Sequence, residues 1–212
     1  MPDDPLRHLL DTGLHRLAIP LSDARRDTLI AYLRLLDKWN RAYNLTAVRD
    51  VRQMVARHVL DSLAILPLLR GRRFIDVGSG AGLPGLPLAI AMPETEWVLL
   101  DSNAKKTRFL IQATSELALP NIRVLRHRVE DYRPDRPFDT VTARAFSRLD
   151  ILLRRTTHLL APGGDVVALK GRNVHQEVTD PPSGFTIVAI ERLEIPEAEG
   201  ERYAVIARKE TQ

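Results

Sequence analysis

The sequence predicts an α/β fold: a mostly parallel seven-stranded sheet with helices on both faces, preceded by an N-terminal helical extension. From residue 72 onward, short apolar runs alternate with helical stretches, which is typical of a parallel sheet covered on both sides. Over residues 1–70, apolar side chains instead recur at three- and four-residue steps, which is the period of a helix. We therefore divide the chain into a helical extension (1–71) and one compact domain (72–212).

Two helices are predicted in the extension. Ser22 is placed to cap a helix over 24–41, because a serine hydroxyl can accept from the free amides of the first turn. Its expected inner face carries Leu29, Ile30, Leu33, Leu36 and Tyr43. Asp50 is placed to cap the second helix, which Pro67 and Gly71 end.

The seven expected strands cover residues 73–77, 97–101, 122–125, 138–143, 165–170, 185–193 and 203–208. Helices are expected between them over 85–91, 104–119 and 149–160, the last ended by Pro162-Gly163-Gly164. The last two strands are expected to form an antiparallel pair. In such sheets ligands bind beyond the carboxyl ends of the strands, where the strand order reverses.

Composition excludes several kinds of chemistry. The chain has no cysteine, so disulfides, thiolate metal sites, iron–sulfur clusters and a cysteine nucleophile are excluded. The six histidines are scattered without the spacing of metal ligands, and we expect no metal. No secretory peptide opens the chain and no apolar stretch free of glycine and proline is long enough to span a membrane. We expect a cytoplasmic protein without a membrane partner.

Charge is distributed in blocks. The net charge is only +4, but residues 1–73 carry 13 basic and 8 acidic side chains, and residues 101–160 carry 12 and 7. These two basic blocks flank a nearly uncharged Gly/Pro-rich segment. They indicate either a polyanion site or an ordinary solvated surface.

The stretch Asp76-Val77-Gly78-Ser79-Gly80-Ala81-Gly82-Leu83-Pro84-Gly85 is the most informative motif. A strand runs into closely spaced glycines, which are needed where a ligand presses on the backbone or φ is positive. It is not a dinucleotide fingerprint, because Leu83 stands where the third glycine would be. Pro84 and Pro87 also remove amides that a pyrophosphate would need. The loop is therefore shaped for a ligand without phosphates.

Acidic residues after the next two strands complete a pocket. Asp101 can accept hydrogen bonds from both ribose hydroxyls of a nucleoside. After the third strand, Val129 offers an apolar contact and an amide, and Glu130 or Asp131 can accept from an exocyclic amine. With Gly78 and Gly80 at the amino-acid end, this pocket suits S-adenosylmethionine. Asp76 is a further candidate for it, the alternative being a carboxylate that only caps the strand.

Four motifs in order resemble the small-subunit ribosomal RNA methyltransferase G family, also called glucose-inhibited division protein B. They are Trp39-Asn40-Arg41-Ala42-Tyr43-Asn44-Leu45-Thr46, Arg57-His58-Val59-Leu60-Asp61-Ser62-Leu63, the glycine loop, and Ala143-Arg144-Ala145, followed by Leu169-Lys170-Gly171. The resemblance implies a Rossmann-like class I methyltransferase. It implies methyl transfer from S-adenosylmethionine to N7 of one guanine (position 527) in the 530 loop of 16S rRNA. It also implies cofactor contacts at Gly78, Leu83, Val129, Glu130 and Arg144.

The implied reaction fits the side chains available. Guanine N7 carries a lone pair and no proton, so no general base is needed and in-line positioning dominates. A cation near guanine O6 would hold the base, and we assign Arg144, at the end of the fourth strand, to this role; the alternative is a surface arginine paired with a helix acid. Lys170 ends the fifth strand at the same edge and is the second catalytic candidate.

The remaining basic residues are expected to contact RNA phosphates. The candidates are Lys105, Lys106, Arg123, Arg126, Arg128, Arg148, Arg154, Arg155 and Arg172. We expect 16S rRNA, in the 30S subunit or an assembly intermediate, as partner, and a monomeric protein.

Three interpretations stay open at this stage. His58 and Asp61, three residues apart on one helical face, form either a buried hydrogen-bonded pair or part of the pocket wall. For the whole chain, a nicotinamide-dependent oxidoreductase on a related fold and a non-catalytic ribosome-binding module are the alternatives to a methyltransferase.

Overall fold

The computed structural model describes residues 4–178, 181–198 and 200–211. Its helices are α1 (Pro5–Arg16), α2 (Asp23–Tyr43), α3 (Val51–Met54), α4 (Asp61–Leu63), α5 (Gly85–Ala91), α6 (Ala104–Glu116), α7 (Leu149–Thr156) and α8 (Val174–Glu177). Its strands are β1 (Arg73–Val77), β2 (Glu96–Leu100), β3 (Ile122–Leu125), β4 (Phe138–Arg144), β5 (Leu160–Lys170), β6 (Phe185–Leu193) and β7 (Arg202–Lys209). A π-helical turn (Val55–Leu60) joins α3 to α4, and 3₁₀ turns cover Leu66–Leu68 and Thr157–Leu159.

The seven strands form one sheet in the order β3-β2-β1-β4-β5-β7-β6. Strands β1 to β5 are parallel, and β7 lies antiparallel between β5 and β6. This confirms the predicted α/β fold and the closing antiparallel pair. The order reverses between β1 and β4, so a crevice opens beyond their carboxyl ends.

The helical extension packs into the same core as the sheet. Leu10 of α1, Leu33 of α2 and Leu63 of α4 are fully buried, or nearly so, in one apolar cluster with Phe74 of β1 and Trp97 of β2. Helix α2 lies against α5 and α6. A second apolar cluster covers the opposite face of the sheet, beneath α7. The extension is therefore one layer of the molecule rather than an appendage.

Helix α1 was not predicted, although the sequence at its start is typical of a helix N-terminus. Asp4 accepts from the amide of Leu6, and Pro5 opens the helix at a position where no amide is needed. Helix α2 begins as expected, with the Ser22 hydroxyl accepting from the amide of Arg25.

Two expectations about local structure are wrong. Tyr43 is 41% exposed rather than on the inner face, because α2 ends there and the left-handed Asn44 turns the chain away. The segment Pro162-Gly163-Gly164 does not lie outside the sheet but within β5. Leu160 pairs with Phe138 and Asp165 with Thr140, so the residues between them form a bulge. Pro162, which has no backbone N–H to donate, is tolerated there because the ladder needs no donor at that position.

Candidate active site

The glycine loop leaves β1 at the carboxyl edge of the sheet, as predicted. The amides of Gly78 and Ser79 both donate to the carbonyl oxygen of Leu100 on β2, at 2.8 and 3.1 Å. Gly78 has φ +70°, and a Cβ atom there would lie 2.6 Å from the ring of Phe146. Both the backbone conformation and the close approach therefore require glycine.

Asp76 lies beneath the loop and is fully buried. Its Oδ1 accepts from the Thr142 hydroxyl at 3.0 Å, and its Oδ2 accepts from the Gly85 amide at 3.1 Å. Burial raises the pKa of this carboxyl to about 7, against the opposing effect of its hydrogen bonds. The structure thus makes Asp76 a positioning residue for the loop, closer to the capping alternative than to direct ligand contact.

Tyr32 of α2 ties the extension to the loop. Its side chain is fully buried, and its hydroxyl donates to the carbonyl oxygen of Ala81 at 2.8 Å. Burial raises the pKa of Tyr32 far above its usual value, so the hydroxyl keeps its proton. The contact joins residues 49 positions apart, so no local spacing in the sequence predicts it.

Asp101 stands at the end of β2 and is 7% exposed. Its Oδ2 accepts from the amide of Gly80 and its Oδ1 from that of Asn103, both at 2.8 Å. Each carboxylate oxygen has a second lone pair, so it can still accept from a ribose hydroxyl. Asp101 therefore combines the predicted position with a second task, which is to hold the loop at Gly80.

A smaller cleft of about 120 Å³ lies between the loop and the ends of β2 and β3. It is lined by Gly78, Asp101, Val129, Glu130 and Phe146, among others. Four of the residues predicted for the cofactor thus meet in one cavity. An adenosine without phosphates requires hydrogen-bond acceptors for its ribose, an apolar contact for its base and a close approach to the backbone. Asp101, Val129 and Gly78 offer these in turn.

Four other residues predicted for the cofactor, Asp76, Gly80, Leu83 and Arg144, do not line this cleft. Leu83 is 4% exposed and its side chain belongs to the apolar core behind the loop. Glu130 lines the cleft, and its carboxylate is paired with Arg155 at 3.1 Å. Arg155, predicted to contact RNA, therefore also borders this cleft.

A larger cleft of about 530 Å³ adjoins the smaller one, and Phe146 lines both. The two predicted catalytic residues, Arg144 and Lys170, meet here at the ends of β4 and β5. The remaining charged lining residues are Asp61, Glu177 and Arg202. Neither Glu177 nor Arg202 was predicted; Arg202 comes from β7, at the far end of the chain.

Arg144 is held by the extension. Its Nη1 donates to Asp61 Oδ2 at 2.8 Å and to the carbonyl oxygen of Arg57 at 2.9 Å. Asp61, 2% exposed, also accepts from Arg202 Nε at 3.1 Å. We call these three side chains (Asp61, Arg144 and Arg202) the Asp61 cluster. The predicted alternative for Arg144, pairing with a helix acid, is present, but the acid is buried and lines the cleft.

Of the two interpretations left open for His58 and Asp61, the hydrogen-bonded pair is wrong, whereas Asp61 does line the larger cleft. His58 Nε2 is 2.8 Å from the Thr46 hydroxyl and Nδ1 is 2.9 Å from the Arg57 carbonyl oxygen, while Asp61 faces two arginines. Burial, and then the nearby charge of Arg144, lower the pKa of His58 to about 4. A neutral imidazole would add little stabilisation by hydrogen bonding to a carboxylate that two guanidinium groups already bind.

Lys170 is also neutralised by a neighbour. Its Nζ donates to Glu177 Oε2 and to the carbonyl oxygen of Ser147, both at 2.6 Å. Its side chain is 11% exposed. Lys170 thereby holds the segment that follows β4, in addition to lining the larger cleft.

Most predicted RNA-contact residues surround these clefts. Lys105 and Lys106 begin α6 beside the loop, with Lys106 Nζ 3.8 Å from the position of a Cβ at Gly80. Exposed residues of this set beyond the strand ends or on α7 are Arg126, Arg128, Arg148, Arg154, Arg155 and Arg172. Arg123 instead lines a cavity at the amino ends of the strands, on the opposite edge.

Among residues 4–178, 181–198 and 200–211, no group of three or more histidine, aspartate or glutamate side chains is arranged to hold a metal ion. Within the same ranges no helix has the length and apolarity to cross a membrane.

The strand order and the cleft at its switch point define the class: a Rossmann-like fold of the S-adenosylmethionine-dependent methyltransferases. The structure resembles a putative O-methyltransferase from Klebsiella pneumoniae (TM-score 0.62, 14% identity, 95% of this chain and 96% of that one). It also resembles a SAM-dependent methyltransferase from Aquifex aeolicus (TM-score 0.56, 16% identity, 74% and 93% of the two chains). At these identities the likeness concerns the fold.

Sequence comparison gives the family. Residues 25–206 match the family described as GidB, rRNA small subunit methyltransferase G. A relative from Nitrosococcus oceani, named Ribosomal RNA small subunit methyltransferase G, is 52% identical over 201 residues, covering 95% of this chain and 94% of its own. One of the same name from Hahella chejuensis is 46% identical, covering 93% and 91%. The chain belongs to the rRNA small subunit methyltransferase G family.

Membership confirms the resemblance stated from the motifs. The protein is a methyltransferase whose methyl donor is S-adenosylmethionine. The oxidoreductase and the non-catalytic module are thereby removed as alternatives.

Proposed function

We propose that the protein transfers a methyl group from S-adenosylmethionine to N7 of a single guanine in the 530 loop of 16S rRNA. The observation that carries the proposal is the pair of adjoining clefts. The smaller has the lining expected for the donor, and the larger has two cations at its rim. The name shared by the family and its relatives supports small-subunit rRNA as substrate.

The chemistry needs positioning more than proton transfer. N7 attacks the sulfonium methyl group with its own lone pair, so no proton has to leave the nucleophile. Asp76, a carboxyl with a pKa of about 7, is fully buried beneath the loop and is not placed to act as a base. Holding donor and base in line can lower such a barrier by about 7–11 kcal/mol.

Arg144 is proposed to hold the guanine. Both hydrogen bonds of its guanidinium described above leave from Nη1, and a guanidinium carries five N–H donors. The remaining donors are available to guanine O6, and such a bond would orient the base so that N7 faces the methyl group. Lys170 stands across the rim and supports the segment after β4.

The rRNA is proposed to lie along the basic residues around the clefts, with the protein acting as a cytoplasmic monomer on the 30S subunit or an assembly intermediate. Exposed arginines and lysines there match a phosphate backbone. Aromatic residues make up only 5% of the chain, so RNA shape rather than a broad stacking surface is expected to select the site.

The test is methylation of naked 16S rRNA and of 30S subunits with labelled donor, with N7-methylguanosine mapped by chemical cleavage. Asp101→Ala is expected to weaken donor binding in calorimetry by about 10-fold or more, since it loses charge-assisted bonds. Asp139→Ala is the control, because Asp139 accepts from the amides of Arg72 and Arg73 at the opposite edge. Modification at another atom or nucleotide, or equal donor affinity in both variants, would overturn the proposal.

RNA contact is tested separately. The double variant Lys105→Ala with Lys106→Ala is expected to reduce the salt slope of RNA binding by about one unit per lost phosphate contact. Arg123→Ala, at the opposite edge, is expected to leave the slope unchanged. An unchanged slope in the double variant would refute this placement of the RNA.

A further inference from the structure

Phe146 stands at the boundary between the two clefts. It lines both cavities, and a ring atom lies 2.6 Å from where a Cβ at Gly78 would be. The ring therefore rests directly on the glycine at the start of the loop. No other residue lines both of these clefts in the described part of the chain.

The segment that carries Phe146 is held on both sides. Arg144 before it is bound to Asp61, and the Ser147 carbonyl oxygen after it accepts from Lys170 Nζ at 2.6 Å. Between them, Ala145 has φ +51°, a left-handed conformation that residues with a Cβ rarely adopt. The two residues predicted to be catalytic thus also hold the chain on either side of Phe146.

With the ring on Gly78, the smaller cleft has about 120 Å³. Small-molecule sites commonly have about 300 Å³ or more. In the proposed function the amino-acid end of the donor lies at Gly78, where the Phe146 ring now occupies part of the space. The space next to it is the larger cleft of about 530 Å³, where the target base is placed.

We propose that Phe146 is the residue on which the target purine stacks, and that its ring moves from Gly78 into the larger cleft when the donor binds. The flat ring would then fix the plane of the base, while Arg144 fixes its edge. An aromatic face suits a purine because every base can stack, and such contacts contribute substantially to binding. The inference rests on the proposed function.

Movement of the Phe146 ring has a thermodynamic consequence. If one side chain must leave the donor cleft to contact the base, then donor and RNA bind cooperatively, and each tightens the other by the same factor. S-adenosylhomocysteine, the demethylated donor, measures this coupling without reaction. Its presence is expected to tighten the Kd of the wild-type protein for its RNA substrate.

The experiment measures RNA Kd with and without saturating S-adenosylhomocysteine for the wild type, Phe146→Leu and Phe146→Tyr. Phe146→Leu is expected to weaken ternary RNA binding on the order of 10-fold, within the roughly 5- to 150-fold range of base–aromatic stacking, and to abolish the coupling. Phe146→Tyr, which keeps the ring, is expected to retain both. Phe185→Leu is the control for lost apolar packing. Phe185, on β6, belongs to the apolar cluster against which Phe146 packs, but it lines neither cleft.

The outcomes separate the two claims. Wild-type protein that methylates neither rRNA nor 30S subunits overturns the proposed function. A methylating wild type with an unaltered ternary RNA Kd in Phe146→Leu overturns the role of Phe146 alone. So does a Phe146→Leu defect that Phe185→Leu shares, or that Phe146→Tyr fails to rescue.

Discussion

Replacing Asp61 by asparagine is the most direct test of how the larger cleft is built. The carboxylate is 2% exposed and accepts from Arg144 at 2.8 Å and from Arg202 at 3.1 Å. Asparagine keeps the shape but removes the charge, and it turns an NH₂ group toward one of the two guanidinium groups. Two cations then remain close together without their anion.

The size of the effect follows from burial. Removing one partner of a buried ion pair costs about 3–5 kcal/mol. The side chains of Arg144 and Arg202 are 22% and 34% exposed, so water screens part of the loss. We expect the variant to lose about 2–3 kcal/mol of the free energy of unfolding. For a chain of this length that lowers Tm by about 4–12 °C.

Urea denaturation of Asp61→Asn is compared with Glu96→Gln. Glu96 also accepts from two arginines, at 2.8 and 3.4 Å, but it is 64% exposed. Its loss is expected to shift the midpoint far less, because solvent screens exposed pairs. Donor affinity is expected to survive Asp61→Asn, since Asp61 lines the other cleft. Equal midpoint shifts in the two variants would refute the reasoning.

Four further predictions concern the buried polar groups and the loop. The folded protein holds the proton of Asp76 more tightly than the unfolded chain does (pKa about 7), and that of His58 less tightly (pKa about 4). Because Asp76 loses its proton first in the unfolded chain, raising the pH from about 4 to about 7 destabilises the wild type relative to Asp76→Asn. Raising the pH from about 4 to about 6.5 stabilises the wild type relative to His58→Gln, because the unfolded chain holds that proton more tightly. Each difference in the free energy of unfolding changes by at most about 1.4 kcal/mol per pH unit. Urea profiles of variant and wild type that stay parallel over this pH range would contradict both predictions. Tyr32→Phe, which leaves a loop carbonyl oxygen without its donor, should cost about 1–2 kcal/mol in denaturation and weaken donor binding in calorimetry. Gly85→Ala would place a Cβ atom 2.6 Å from that of Asp76 and should lower stability by about 1–3 kcal/mol, whereas Gly171→Ala, with open space around it, should not.

The fold was largely predictable because the strands of a parallel sheet covered on both faces are short, mainly apolar runs. The strands at 73–77, 122–125 and 185–193 were predicted to the residue, and the other four differ at their ends. Failures came where local signals conflict with tertiary pairing. Pro162-Gly163-Gly164 ends a helix by every local criterion, yet the bulge opposite β4 accommodates it in β5.

The site was predictable where it follows strand ends and not where it depends on distant pairing. Gly78, Asp101, Val129 and Glu130 meet in one cleft because parallel strands end at one edge. The bond between Asp61 and Arg202 joins residues 141 positions apart, which no spacing in the sequence reveals.

The placement of β7 has a consequence for biosynthesis. This last strand lies between β5 and β6 and brings Arg202 to the Asp61 cluster. During translation the chain emerges from its amino end, so the elements from α1 to β5 leave the ribosome before β7 does. The Asp61 cluster is complete only when β7 has paired between β5 and β6, so the larger cleft is assembled after the layers that precede it in the chain.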